Sequence, residues 1–199
     1  MEEAIYKTLD SAGPETLFKE KGSKFFGYAF PIESEAQAKK IVLEIKKTHH
    51  SARHWCFAWK IGKESIVYRV NDDGEPSNSA GQPIYGQILA ADLTNVLVVV
   101  VRYFGGVKLG VGGLIRSYRT SAQYALEESA IVSKVITKDL RLTFEYVHMN
   151  KIMRFVKQKK LNIRSQEMHE KCTTILSVNK SQFLAVKNAF LAMHFLEVK

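Results

Sequence analysis

The sequence predicts an α+β protein built from two domains, residues 1–133 and residues 134–199. Three observations support this prediction. Short apolar strand patterns alternate with amphipathic helical patterns in both parts. Residues 96–101 are all aliphatic, which is typical of a strand covered on both faces. The charge balance also changes, because 16 Lys and Arg oppose 15 Asp and Glu in residues 1–133, whereas 13 oppose 5 in residues 134–199.

The composition excludes several classes of protein. A chain of 199 residues with 46% hydrophobic and 25% charged residues is ordinary for a folded globular protein and unlike collagen or a disordered chain. The aliphatic run at residues 96–101 is far shorter than the roughly 20 residues of a membrane-spanning helix. The two cysteines, Cys56 and Cys172, and an N-terminus without an apolar segment lead us to expect a cytoplasmic protein.

The first domain opens with three strand patterns separated by glycine-containing turns, at residues 5–9, 15–20 and 23–30. A helix follows, because Ser34 and Gln37 have the spacing of a capping box and two lysines end the pattern. Its apolar stripe consists of Ala38, Ile41, Val42 and Ile45.

The rest of this domain alternates in the same way. Two strand patterns at residues 53–61 and 66–70 precede a polar loop and a helix that starts near Pro83. The aliphatic strand then leads through a glycine-rich stretch into a last helix, whose apolar stripe begins at Leu114. We expect an α+β sandwich with the helices on one face of the sheet.

The second domain has the order βαββαβ. Strand patterns occupy residues 140–146, 162–168, 172–178 and 195–198. Between them lie one helix that places Met149, Ile152, Met153 and Val156 on one side and a second helix for which Ser181 is the expected cap. This order predicts a small ferredoxin-like domain.

The most unusual stretch is the glycine segment, residues 102–116, which runs from the aliphatic strand into a helix. Its glycines are Gly105, Gly106, Gly110, Gly112 and Gly113, and its nearby cations are Arg102, Lys108, Arg116 and Arg119. Glycine permits close approach of the backbone to a ligand, and amides at a helix start attract anions. Two interpretations stay open, namely a tight turn with close helix–strand packing and a contact with an anion or a phosphate backbone. The spacing does not fit a nucleotide-binding motif.

The acidic loop, residues 71–81, places Asp72, Asp73 and Glu75 close together. A turn is the interpretation we favour, because Asp-Asp-Gly is ordinary turn chemistry. A Mg²⁺ site built from these oxygens is an alternative. A further alternative is acid–base chemistry by Asp72, Asp73 or His54.

Two weaker alternatives involve the histidines. His49, His50 and His54 are close in sequence, but the expected break of the helix argues against a shared zinc-binding face. A hydrolase triad of Ser77 or Ser79 with His54 and Asp72 lacks the sequence motif of a nucleophile elbow.

The second domain carries a cluster of cations that we call the basic face. Its members are Lys151, Arg154, Lys157, Lys159 and Lys160. No acidic residue lies between Tyr146 and Ser165. The alternatives are a solvated helix face and a surface that contacts phosphates. The neighbouring strand at residues 171–178 lacks the aromatic residues with which RNA-recognition motifs stack bases, so we expect RNA contacts to be mainly electrostatic.

Several ordered motifs resemble the IMPACT family, including its YigZ-like bacterial members. They are NDDGEPSNSAGQP at residues 71–83, VVRYFGGVKLG at residues 100–110 and GGLIR at residues 112–116, with SKF at 23–25 and ARHWC at 52–56. The resemblance implies an N-terminal domain with the left-handed βαβ fold of ribosomal protein S-five and of domain IV of elongation factor G. It implies a C-terminal ferredoxin-like domain similar to domain V of that factor. Eukaryotic relatives regulate translation by binding the activator of a stress-responsive initiation-factor kinase.

Charge and resemblance together lead us to expect a non-enzymatic regulator of translation or of a stress response. The expected partners are RNA, the ribosome or a translation-regulatory protein, without a metal or a cofactor. The expected contact residues are the basic face, the glycines and cations of the glycine segment, and Asp72, Asp73, Glu75 and His54. The alternative is an enzyme that acts on a phosphorylated or acidic small molecule between the acidic loop and the glycine segment.

Overall fold

The computed structural model describes residues 4–199, which form two compact units. One unit comprises Tyr6–Lys134, and the other comprises Val135–Lys199 with Ala4 and Ile5. Both units mix helices with antiparallel strands, so the expected α+β class is confirmed. No helix within residues 4–199 is long and apolar enough to cross a membrane.

The first unit contains a five-stranded sheet, a separate strand pair and three helices. The sheet has the order β2-β3-β6-β4-β5, and β1 pairs with β7. Its strands are β1 (Ile5–Leu9), β2 (Thr16–Glu20), β3 (Ser23–Pro31), β4 (His54–Ile61), β5 (Val67–Asn71), β6 (Val96–Tyr103) and β7 (Ile131–Val135). Ile5 and Val135, which are end residues of β1 and β7, belong to the other unit. Its helices are α1 (Glu35–Thr48), α2 (Gly81–Ala90) and α3 (Gly110–Glu127).

Strand β6 lies at the centre of this sheet, between β3 and β4, and is buried on both faces. Val96, Val98 and Val100 pack in the core that contains residues of α2 and α3. The alternate residues Leu97, Val99 and Val101 pack in a second core with the apolar stripe of α1. The expectation that all helices cover one face is therefore wrong. A strand that is apolar on both faces needs cover on both, and α1 supplies the second cover.

Helix α1 begins as its sequence predicts. The Ser34 hydroxyl accepts a hydrogen bond from the Gln37 amide at 3.3 Å, while the Gln37 side chain accepts one from the Glu33 amide at 2.6 Å. Lys46 and Lys47 lie in the last turn, where cations interact favourably with the helix dipole.

The second unit has the strand order of a ferredoxin-like fold. Its elements are β8 (Thr137–Phe144), α4 (Met149–Gln158), β9 (Asn162–Met168), β10 (Cys172–Asn179), α5 (Phe183–Leu191) and β11 (Leu196–Val198). The sheet order is β11-β8-β10-β9, and all neighbouring strands are antiparallel. Leu140, Leu142, Ile152, Val156 and Phe190 belong to one core. The prediction that Ser181 caps the second helix is wrong, because α5 begins after Gln182 and no side-chain cap is seen among residues 4–199.

Candidate functional site

The acidic loop is a tightly bonded turn around Asp72. The carboxylate of Asp72 accepts hydrogen bonds from the amides of Ala80 (2.9 Å) and Gly81 (2.8 Å) through Oδ1 and from the amide of Asn78 (2.9 Å) through Oδ2. The amides of Ala80 and Gly81 lie at the start of α2, for which no other side-chain cap is seen within residues 4–199, and that of Asn78 lies in the loop before it. Asp72 therefore caps a helix, and its carboxylate is fully engaged by the backbone.

Asp73 is also engaged by its surroundings. Its Oδ2 accepts a hydrogen bond from the Trp55 amide at 2.8 Å, and its Oδ1 lies 3.2 Å from the ammonium group of Lys46. Its carbonyl oxygen lies 3.0 Å from Nδ1 of His54, which can donate to it. The turn interpretation accounts for both aspartates. Within residues 4–199, no group of three or more His, Cys, Asp and Glu is placed to hold a metal ion.

Glu75, the third carboxylate, lies inside the unit rather than on the loop surface. Its Oε1 accepts hydrogen bonds from Nη1 of Arg102 at 2.6 Å and from the Tyr118 hydroxyl at 2.8 Å. Nε2 of His54 lies 4.0 Å from the same oxygen. The acidic loop, β6 and α3 thus meet at a buried ion pair.

Two further polar groups surround this ion pair. The Cys56 thiol lies 3.3 Å from the Tyr118 hydroxyl and 3.0 Å from the carbonyl oxygen of Asp72. Burial raises the pKa of Cys56 and of Tyr118, and the negative charge of Glu75 acts in the same direction. Both groups are therefore protonated at neutral pH, and Cys56 is not a thiolate nucleophile.

A cavity of about 330 Å³ opens beside the ion pair. Its lining consists of Glu75, Pro76, Arg102, Phe104, Lys108, Leu109, Gly110, Val111 and Leu114. The side chain of Arg102 is 7% exposed, and its Nε is buried and has no hydrogen-bond partner among residues 4–199. Its guanidinium carbon lies 5.6 Å from the ring centre of Phe25 and 5.7 Å from that of Phe104.

The glycines of the glycine segment have different tasks. A Cβ on Gly105 would lie 1.9 Å from the carbonyl carbon of Gly22, so this glycine permits close packing of two loops. Gly106 and Gly110 have φ angles of +87° and +70°, which favour glycine. A Cβ on Gly112 would meet nothing within 4 Å, and one on Gly113 would meet Cβ of Leu109 at 3.0 Å.

Helix α3 begins earlier than expected, at Gly110, and its first turn is free of caps. No side chain bonds to its start, and no acidic residue lies in its first turn. The first amides of a helix have no partner within it. Among the hydrogen bonds of residues 4–199, none satisfies the amides of Gly110, Val111 and Gly112.

The structure separates the cations of the glycine segment. Arg102 and Lys108 line the cavity, whereas Arg116 and Arg119 lie on the exposed face of α3 outside the lining. His54 is not part of the lining, but its Nε2 lies 4.0 Å from Oε1 of Glu75, which is. Asp72, Asp73, Gly105, Gly106, Gly112 and Gly113 lie outside the lining as well.

The remaining sequence-based alternatives find no support in the contacts. The Ser79 hydroxyl is buried and donates to the carbonyl oxygen of Pro76 at 2.6 Å, so it does not face His54. His49 is buried between two tyrosines, with Nδ1 3.0 Å from the Tyr103 hydroxyl and Nε2 bonded to that of Tyr28. The carboxylate of Asp72 binds backbone amides and His54 bonds to the carbonyl oxygen of Asp73, so the Asp72–His54 pair that either serine would need is not formed. Within residues 4–199, these histidines belong to no group that could hold a metal ion.

The basic face lies on α4 and the turn that follows it. All five of its side chains are exposed, and none has an acidic partner within residues 4–199. The ammonium group of Lys151 lies 4.7 Å from the ring centre of Phe195, and that of Lys159 lies 5.9 Å from that of Phe155. The aromatic rings hold two of the cations in place while their charges stay open to solvent.

Some site residues were not among those expected. Tyr118 occurs in the sequence as part of an apolar helical stripe, yet its hydroxyl completes the Glu75 cluster. Phe104, Val107 and Val111 are about half exposed, and two of them line the cavity. Three exposed apolar residues interspersed among glycines are the signal in the sequence that could have indicated a binding surface.

The comparisons with known proteins identify the family of the chain. The family model for the Impact N-terminal domain matches residues 21–126. IMPACT family member YvyE of Bacillus subtilis is 36% identical over 147 residues, which are 74% of this chain and 67% of that protein. IMPACT family member YigZ of Escherichia coli is 34% identical over 141 residues, 69% of each chain.

A solved structure has a similar fold. A crystal structure of a hypothetical protein is similar over 100% of this chain and 97% of that chain, with a TM-score of 0.77 and 25% identity. The resemblance carried by the acidic loop and the glycine segment is thereby confirmed, and the chain belongs to the IMPACT family.

Proposed function

We propose that the chain is a non-enzymatic regulator of translation or of a stress response that binds RNA, ribosomal RNA included, through its basic face. Membership in the IMPACT family is consistent with a regulatory role. The observation that carries the RNA proposal is the set of five exposed cations on one short helix and the turn after it, none of which has an acidic partner among residues 4–199.

The physical basis is the release of counterions from phosphates. Each cation that contacts a phosphate frees a condensed counterion, so an unpaired cation contributes more than one already held by a carboxylate. Lys151, Arg154 and Lys157 follow each other at spacings of three along α4, which places them in one row. Such a row matches a chain of phosphates and carries no information about base sequence.

The first unit offers a second surface of the same sign. Arg116 and Arg119 are exposed on α3, outside the lining of the cavity. In this proposal, they are a second set of cations that can contact phosphates. In this proposal, Asp72, Asp73 and His54 hold the surface in shape through the contacts described above and do not touch RNA.

The alternative of an enzyme needs an acid or base that is free to act on a substrate. Asp72 and Asp73 are both occupied by backbone amides, which weighs against acid–base chemistry by these two residues. The chain's site of action in this proposal is the cytoplasm. Its two cysteines are buried free thiols, which fits a reducing compartment.

The test is co-sedimentation with ribosomes, together with filter binding of a single-stranded RNA at several salt concentrations. We expect log affinity to fall by about 0.7 for each phosphate contact per unit of log salt concentration. The triple variant Lys157→Glu, Lys159→Glu, Lys160→Glu should lower affinity strongly and reduce that slope by about 2.

A matched control is available on α1. The variant Lys39→Glu, Lys40→Glu, Lys47→Glu changes three exposed lysines and alters the net charge equally. We expect it to retain most of the affinity. Equal losses in both triple variants, or unchanged ribosome binding by the first, would contradict the proposal. Co-sedimentation with ribosomes that persists at a salt concentration where binding of the free RNA is lost would instead indicate a translation-associated protein as the partner.

A further inference from the structure

The cavity in the first unit has the size and lining of a small-molecule site. Its volume of about 330 Å³ lies within the range of pockets that hold small ligands. Pro76, Leu109 and Leu114 provide apolar walls. Phe104 and Val111, which are about half exposed, also line the cavity. RNA phosphates are charged and gain no binding energy from apolar walls, so we expect the cavity to bind a ligand with an apolar part.

The polar groups of the cavity lie together at one end. Arg102 is only 5% exposed, yet its Nε has no hydrogen-bond partner among residues 4–199. Nε is itself covered by protein atoms, so a ligand in the cavity would meet the other guanidinium nitrogens, of which Nη1 already donates to Glu75. The unpaired amides of Gly110 and Val111 start α3 at the same cavity, where the helix dipole favours negative charge.

The balance of charge selects the ligand. Glu75 already neutralises Arg102, which leaves Lys108 and the start of α3 as the net positive contribution. One negative charge balances these, and a carboxylate supplies it. A phosphate dianion would bring a second negative charge close to the buried carboxylate of Glu75.

We propose that this cavity binds a small organic carboxylate, with its apolar body between Leu109, Val111 and Leu114 and its carboxylate toward Arg102 and the first amides of α3. The site is separate from the basic face and does not depend on RNA binding. A carboxylate ligand of this kind would let the abundance of a small metabolite influence the protein, because anything that binds the folded state alone stabilises it.

The test uses phenylacetate as a probe of the intact chain and follows backbone amides by nuclear magnetic resonance. We expect phenylacetate to shift the signals of Gly110, Val111 and Gly112, and uncharged phenylacetamide to leave them in place. Lys108→Ala should weaken phenylacetate binding about threefold, the effect of one exposed charge. Lys39→Ala removes the same charge elsewhere on the unit and should leave binding unchanged.

A second variant tests the apolar part of the site. Val111→Trp fills the cavity from a half-exposed position, so we expect it to abolish binding while a thermal melt shows an intact fold. Signals that stay unmoved by phenylacetate, or that phenylacetamide moves equally, would overturn the proposal. Equal shifts with inorganic phosphate would overturn the selection of a carboxylate. RNA affinity, measured on the same samples, reports separately on the basic face.

Discussion

Arg102 and Glu75 form a buried ion pair, with Nη1 of the arginine 2.6 Å from Oε1 of the glutamate and side chains that are 7% and 4% exposed. The Tyr118 hydroxyl donates to the same oxygen. The pair links β6 to the acidic loop and borders the cavity. Two charges removed from water in this way depend on each other, because either one alone would be buried without compensation.

Breaking the pair from one side should therefore be costly. We expect Arg102→Met to lower the free energy of unfolding by about 3–5 kcal/mol, because the Glu75 carboxylate then stays buried with only the Tyr118 hydroxyl as a donor. Urea unfolding measures the change.

The double variant Arg102→Met, Glu75→Gln is the control. It removes both charges, so it should recover most of that loss. A double variant as unstable as Arg102→Met alone would mean that packing around Arg102, and not its charge, is what stabilises the unit.

Asp72 should act on stability through the cap of α2. Asp72→Ala leaves three backbone amides without their acceptor, and we expect the free energy of unfolding to fall by about 2 kcal/mol. Asp72→Asn keeps one acceptor oxygen and should lose less. Asp10→Ala, at an exposed position without a side-chain bond within residues 4–199, should change stability by less than about 0.5 kcal/mol. If Asp72→Ala is as stable as Asp10→Ala, the capping role is refuted.

Replacing either of two glycines of the glycine segment by alanine should change the stability of the fold in opposite directions. Gly105→Ala would press a methyl group against the backbone of Gly22, so we expect a loss of about 3 kcal/mol. Gly112→Ala meets open space in the first turn of α3 and should gain about 0.5 kcal/mol, since alanine favours a helix more than glycine does. Thermal unfolding compares the two, and losses of the same size in both would contradict the assignment.

Local patterns in the sequence predict most of the elements correctly. The cap of α1 by Ser34 and the burial of β6 follow from short-range spacing and from an aliphatic run. Strand β7 has no such pattern and is not predicted. Ile131–Val135 is half exposed, and it pairs with β1, which is far away in sequence. The sequence pattern of α1 does not say which face of the sheet the helix covers. The apolar run of β6 does indicate that both faces are covered, so α1 must lie on the face that α2 and α3 leave open.

The site is harder to predict, for a physical reason. Asp72 and Glu75 are near neighbours in sequence and have the same charge, yet one caps a helix at the surface and the other is buried against Arg102. The difference arises from contacts with β6 and α3, which lie far along the chain. Composition and spacing indicate where polar groups cluster, whereas their partners depend on tertiary packing.

His49 predicts a pH dependence of stability that is separate from the site. It is 8% exposed, and burial lowers its pKa below the ordinary value near 6.5, although the Glu15 carboxylate 4.0 Å away opposes the shift. The neutral ring satisfies both nitrogens, since Tyr103 can donate to Nδ1 and Tyr28 can accept from Nε2 while donating to Glu15. The unfolded chain therefore binds a proton at a higher pH than the folded chain. The contribution of His49 is present above pH 6.5 and is lost as the pH falls from there through its folded pKa.

The measurement is urea unfolding between pH 7.5 and pH 5, within the window set by the ordinary histidine pKa. His49→Gln should flatten the loss of stability toward low pH, because glutamine does not titrate and can still bond to both tyrosines. Glu15→Gln should steepen it, since removing the opposing charge lowers the pKa of His49 further. A slope that is identical in the unchanged chain and in His49→Gln would show that other groups govern stability in this range, and that the histidine between Tyr28 and Tyr103 has no part in it.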